Sequence, residues 1–330
     1  QADLAGLQTN ITAGDTAARA GRKNLIINGD MQVAQRGTSS TANGFVSLDR
    51  WYSNQSGAST TFSQETNTNP SETGGIKSYA RLNVSSSSDY TGISQKIEDV
   101  TSVPSGTVTL SFWAKGTAPV GGLYVNSAQD FGTGGSGDVD IAGILITSSL
   151  TSSWVKYSTQ ITIPSVDGKT IGVGSFLIFQ INQGTNTSST AYDLNITGLQ
   201  LETGSVATDF EHRSFGEELA LCMRYYEIMG GTAATDYDFM FIGAVWTTTQ
   251  ARFGLQWKVP KRTSPTVTES GTWYARNASG GSGPVTSKSL EQPTPFGLSP
   301  TVTLSGGGLT AGNATQIWAS DGKIIADAEL

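Results

Sequence analysis

The feature that most constrains this chain is a set of short segments in which apolar and polar residues alternate one for one. Val108-Thr109-Leu110-Ser111-Phe112-Trp113-Ala114-Lys115 does so, as do residues 154–163 and 175–181. A period of two sends successive side chains to opposite faces of a β-strand, so each segment predicts a strand with one buried and one wet face. Residues 85–88, 132–137 and 183–187 are clusters of Gly, Ser, Thr and Asn that read as turns between such strands. Many short strands without intervening helices predict a mainly β protein whose first large unit is a two-sheet sandwich of jelly-roll type.

The chain has 330 residues, enough for two cores. Its 40 Gly and 14% charged residues fit a turn-rich all-β protein, and Trp and Tyr spread along the length argue against disorder. Three regions are expected. In residues 1–23, Leu4, Leu7 and Ile11 are spaced as coiled-coil core positions, predicting a short helical neck. Gly6 and Gly14 each weaken a lone helix by up to ~1 kcal/mol, so the neck needs partner chains. The sandwich is expected over 24–213. Residues 214–330 form a second, smaller β-sandwich-like unit, opened by a helix from about 215 to 226 with Glu217 and Glu218 in its first turn, where they favour the helix dipole. Strands are expected there at 239–247, 251–259 and 266–268, punctuated by Pro260, Pro265, Pro284, Pro293, Pro295 and Pro300.

Composition and motifs exclude several function classes. Twenty Lys and Arg against 27 Asp and Glu give a formal charge of -7 with no long basic block, which argues against nucleic acid as a partner. No segment approaches the ~20 apolar residues of a membrane span, and no export signal is visible, so membrane insertion is not expected. Cys222 is the only cysteine and sits among Leu219, Leu221 and Met223, where it reads as a small buried hydrophobe. One Cys and one His, His212, do not make a closed zinc shell. There is no Gly-x-Ser-x-Gly elbow, and residues 132–137 lack the Lys-Ser/Thr ending of a phosphate loop. The carboxylate pairs Asp138/Asp140, Glu98/Asp99 and Asp236/Asp238 each lie beside a turn or strand end, where solvated acids are ordinary, and the chain is expected not to be an enzyme. It begins at Gln1, which reads as the loss of a preceding segment.

Sugars are held by aromatic rings stacked on their apolar faces, flanked by amide and carboxylate groups. Trp51, Tyr52, Tyr90, Trp273 and Tyr274 are the candidate glycan-binding residues, with Tyr124 and Trp246 as further aromatics of that kind. Trp273-Tyr274 lies in a polar stretch near Asn277 and residues 280–283, so an exposed loop is expected there and the distal unit is expected to carry the main contact. Trp113 and Trp154, in alternating segments, are expected in the core.

Asn24-Leu25-Ile26-Ile27-Asn28-Gly29-Asp30-Met31-Gln32-Val33-Ala34-Gln35-Arg36-Gly37 reads as a strand running into a tight turn. It resembles the first strand of the jelly-roll modules of carbohydrate-binding proteins and bacteriophage tail fibres. Tyr192-Asp193-Leu194-Asn195-Ile196-Thr197-Gly198-Leu199-Gln200-Leu201-Glu202-Thr203-Gly204-Ser205, followed by Asp209-Phe210-Glu211-His212-Arg213 and by Gly216 to Tyr226, resembles the junction between such a module and the distal domain of phage receptor-binding proteins. The phrase at 259–268 and the terminal Ala326-Asp327-Ala328-Glu329-Leu330 resemble distal domains of the same proteins. The resemblance implies a homotrimeric virion tail-fibre protein, assembled in the bacterial host cytoplasm, with other virion tail proteins and a host cell-surface glycan as partners. It also implies a structural Ca²⁺ at Asn28, Asp30 and Asp193. A purely structural or decoration role, and a surface polysaccharide depolymerase, are the alternatives.

Overall fold

The computed structural model describes residues 23–56, 59–86, 90–117, 121–183, 191–230, 236–277, 282–306 and 308–330. The neck stripe of Leu4, Leu7 and Ile11 lies outside the described residues. The chain is mainly β and splits into two compact units, residues 1–218 with Leu330, and residues 219–329. The division falls inside a helix, α1 (Phe215–Met223).

The described residues of unit 1 hold eleven strands: β1 (Ser39–Ser40), β2 (Tyr52–Ser56), β3 (Ser59–Thr66), β4 (Ser78–Ser86), β5 (Tyr90–Glu98), β6 (Gly106–Gly116), β7 (Leu123–Asp130), β8 (Val139–Thr147), β9 (Val155–Ile163), β10 (Phe176–Gln183) and β11 (Tyr192–Thr203). They form two antiparallel sheets, β1-β3-β4-β11-β6-β9 and β2-β5-β10-β7-β8. Alternation dictates the packing. Phe62, Leu82, Leu110, Phe112, Leu194 and Ile196 of the six-stranded sheet meet Ile93, Leu123, Val125, Leu177, Phe179 and Ile181 of the five-stranded sheet in one core. Each such side chain contributes about 1.5–3 kcal/mol on leaving water.

The opening segment is no strand. Residues 24–37 lie in turns and irregular backbone, with the expected turn closed by Met31 N–H donating to the Asn28 carbonyl at 3.2 Å. Side-chain amides take the place of a strand ladder. Asn24 Nδ2 donates to Leu199 O at 2.9 Å, while its Oδ1 accepts from the N–H groups of Ile26 and Leu201, each at 3.0 Å. Gln95 binds both backbone groups of Ile27, each at 2.8 Å. Gly29 is required because its backbone presses on β11: a Cβ there would stand 2.2 Å from the Leu199 carbonyl oxygen.

Unit 2 is built from β12 (Tyr226–Gly230), β13 (Asp236–Val245), β14 (Gln250–Phe253), β15 (Leu255–Gln256), β16 (Thr266–Asn277), β17 (Ser282–Ser289), β18 (Gly297–Leu298), β19 (Thr301–Leu304) and β20 (Ala314–Asp327). Its main sheet runs β12-β20-β13-β14-β19-β17-β16, and β16 pairs back onto β20, so the ladder closes on itself. Phe253, Trp257, Trp273, Val302, Ile317 and Ile324 fill its core. Helix α1 starts at a capping box, in which Ser214 N–H donates to Glu217 Oε2 at 2.9 Å and Glu217 N–H donates to Ser214 Oγ at 3.3 Å. It ends at Met223, because Tyr226 joins β12 instead of a helical face.

Candidate functional site

The outward face of the five-stranded sheet is the best candidate. Ile93, Leu177, Phe179, Leu123 and Val125 point inward, so their strand neighbours must point out. Register aligns those neighbours in rows. Tyr52, Ser94, Gln180 and Asn126 stand opposite one another across β2, β5, β10 and β7, and the next row is Asn54, Gly92, Asn182, Tyr124 and Leu145. Asn54 Nδ2 donates to Ser94 Oγ at 2.8 Å. Although they face away from the core, Ser94 and Asn182 are only 2% and 1% exposed, so the reachable groups of the face are Gln180 and Asn126. Tyr52 and Tyr124 are half-buried at either side. Three strand spacings separate their strands, roughly 14 Å. Tyr52 is braced edge-on by Phe45 at 5.1 Å. The face therefore offers the half-buried amides of Gln180 and Asn126 between two tyrosine rings.

The opposite face of the sandwich carries a second depression, about 410 Å³, lined by Thr61, Ser63, Gln64, Glu65, Arg81 and Asn83 together with Thr38 and Ser39. Among the described residues no aromatic ring lines it, so they supply no stacking surface of the kind sugar recognition uses. Trp113 lies half-buried on this sheet's outer side, against expectation, whereas Trp154, which packs on the same side, is buried as expected. Phe112 and Ala114 occupy the inward positions at 0% exposure, which forces Trp113 out. Trp154 packs edge-on against Tyr79 at 5.4 Å with Lys115 Nζ 4.6 Å over its ring.

Of the aromatics singled out in the sequence, Trp51 and Trp273 are core residues, 1% and 0% exposed, and cannot stack on a ligand. Trp273-Tyr274 lies within strand β16, not in a loop, and alternation buries the Trp while turning Tyr274 outward against Trp318, with ring centres 5.6 Å apart. Tyr90 opens β5, and its side chain falls outside the described residues. Trp246 is 61% exposed.

The residues expected to share a calcium ion do not come together. Asn28 spends its amide on the backbone, donating to Val33 O and Asp49 O and accepting from Val33 N–H. Asp193 is engaged by Arg81, whose Nε lies 3.0 Å from Oδ1 and whose Nη2 lies 3.0 Å from Oδ2. It stands six positions along β11 from Leu199, the residue paired with Gly29, a separation of roughly 20 Å. Among the described residues no group of three or more His, Cys, Asp or Glu could hold a metal.

Asp30 belongs instead to a charge cluster that sequence reasoning missed. Arg213 ties the two ends of unit 1 together: its guanidinium donates to the carbonyls of Asn24 and Ile26 and pairs with Glu211 at 3.1 Å and Glu218 at 3.3 Å. Glu218 Oε1 accepts from Asn28 N–H. Burial works to raise the Glu211 pKa, but the N–H groups of Asn24 and Lys23, with Arg213, outweigh it and hold the carboxyl below its usual range. Asp30 goes the other way. Burial, then the nearby Glu218 charge, push it up to about 6, and its Oδ1 is buried with no hydrogen-bond partner among the described residues. The only advance signal was the recurrence of acids and Arg at 209–218.

No family model and no curated protein matches the chain. Solved structures show weak likeness. A Bacteroides thetaiotaomicron protein provisionally described as sugar binding shares 13% identity at a TM-score of 0.38, over 55% of this chain and 100% of that one. The enzymatically active domain of tailspike protein 4 of bacteriophage CBA120 shares 16% at 0.33, over 54% of this chain and 21% of that one. A family 4 carbohydrate-binding module shares 18% at 0.32, over 53% and 97%. At these identities and TM-scores the likeness assigns no function.

Proposed function

We propose that this chain is a non-catalytic glycan-recognition protein of a phage tail fibre, attaching the virion to its host by binding a short oligosaccharide along the outward face of the five-stranded sheet. One observation carries the binding reading: the half-buried amides of Gln180 and Asn126, on neighbouring strands, flanked by the half-buried rings of Tyr52 and Tyr124. Amides match the paired donors and acceptors of sugar hydroxyls, and tyrosines supply rings with a polar tip. The roughly 14 Å between the two tyrosine strands suits several linked sugars rather than one. The tail-fibre context rests on the resemblance of residues 24–37 and 192–226 to phage modules. Trimeric assembly would add avidity to a site of modest affinity.

A glycan array with the full chain tests the reading, followed by titration of the best binder against Tyr124→Ala and Gln180→Ala. Each variant should weaken binding about tenfold or more while keeping the parent melting temperature. Undiminished binding in both variants, or cleavage of the bound glycan, would overturn it.

A further inference from the structure

The outward face of unit 2 combines rings and cations in a way the unit 1 site does not. Across β20, β16 and β17, Trp318, Tyr274 and Pro284 stand opposite one another. The two rings are stacked, 17° from parallel. The adjacent row, two residues along, is Ile242, Gln316, Arg276 and Ser282 across β13, β20, β16 and β17. A depression of about 330 Å³ opens there, lined by Ile242, Arg276, Ala314 and Gln316 with Asn277 and Thr315. One row further, Ala314 and Arg252 flank Ala244. Arg252 holds its guanidinium 4.3 Å over the exposed Trp246 ring.

Charge decides what such a face accepts. Arg276 and Arg252 are both exposed. No acidic residue with a described side chain occurs in these three rows. In a chain of net charge -7, a patch whose described charges are Arg252 and Arg276, beside a ring pair, is selective for an anion that also has an apolar face. Guanidinium binds carboxylate through two parallel hydrogen bonds, and the small Ala244 and Ala314 leave room above the sheet.

We infer that unit 2 carries a second binding site, for a carboxylate-bearing sugar, with Tyr274 and Trp318 as the stacking platform and Arg276 as the carboxylate partner. Its ligand differs in charge from what the amide-lined face of unit 1 selects, so the two sites can fail separately. The test is titration of the full chain with polygalacturonate and with oligosialic acid, each against a neutral polymer of matched length. At least one acidic polymer should bind tenfold or more tighter than its neutral counterpart. Arg276→Gln should remove that preference with the melting temperature unchanged, and Trp318→Ala should weaken the binding itself. Tyr124→Ala, in unit 1, should leave acidic binding intact. The inference falls if neither acidic polymer is preferred, if Arg276→Gln keeps the preference, or if Tyr124→Ala abolishes it. It falls also if sedimentation shows copies associating through this face and Ile242→Glu separates them.

Discussion

Trp51-Tyr52 in unit 1 and Trp273-Tyr274 in unit 2 are the same dipeptide in two unrelated sheets, and both resolve the same way. The Trp goes to the core, at 1% and 0% exposure, and the Tyr turns outward. Neighbouring positions on extended backbone face opposite ways, so the pair cannot form one aromatic platform. Each Tyr finds its partner on another segment instead, Phe45 for Tyr52 and Trp318 for Tyr274. A binding surface on a sheet is therefore read across strands, never along one.

The two units also differ in how they bury charge. In unit 2, Lys261 and Glu227 are fully buried and matched, Nζ to Oε2 at 2.5 Å, with the Met223 and Val259 carbonyls also accepting from Nζ. Burial lowers the Lys261 pKa, and Glu227 works against it. In unit 1, Asp30 has no cationic partner among its stabilising contacts, which are backbone N–H groups of Asp30 and Gln32 and the Gln32 amide at 2.8 Å, and it suffers the Glu218 charge. Full pairing and partial pairing should respond oppositely to removal of the charge.

The largest expected effects come from the core half of each comparison. Trp51→Ala and Trp273→Ala should each cost about 3–5 kcal/mol in chemical denaturation of the full chain. Lys261→Met should cost a similar ~3–5 kcal/mol by stranding Glu227. A loss below about 1 kcal/mol in any of the three would break the assignment of that residue to the interior.

Asp30→Asn should do the reverse and stabilise. A carboxyl whose folded pKa is raised from 3.8 to about 6 is bound to its proton more tightly in the folded state. Its contribution is complete below pH 4 and is lost as pH climbs through about 6. The shift corresponds to about 3 kcal/mol at pH 7. The variant should melt higher than the parent at pH 7 and converge with it near pH 4. Equal melting temperatures at both pH values would show that Asp30 is hydrated or paired.

The smallest stability effects belong to the outward halves. Tyr52→Ala and Tyr274→Ala should cost no more than about 1–1.5 kcal/mol, the scale of one aromatic contact, while weakening ligand binding by different ligands. Tyr52→Ala should affect a neutral oligosaccharide and Tyr274→Ala an acidic one. If both weaken the same ligand, the two faces do not act separately.

By itself the sequence determined the strand content, the turns, the helix start near Phe215 with Glu217 and Glu218 in its first turn, and the burial of Cys222. All of these rest on patterns within a few residues: period two, turn chemistry and acids in the first turn of a helix. The tertiary structure decided what depends on contacts far apart in the chain. Residues 24–27 look like a strand, yet they are held by the amides of Asn24 and Gln95, partners 68 to 177 positions away. Alternation could say that Trp113 and Phe112 face opposite ways, but only the opposing sheet fixed which of the two went inside. Arg213 and Asp30 gave no local sign of being buried, because their partners, from Asn24 to Glu218, assemble only when the two ends of unit 1 meet. Periodicity is a local property of the backbone; the choice of face and the closing of the charge cluster are settled by the long-range packing that supplies the free energy of burial.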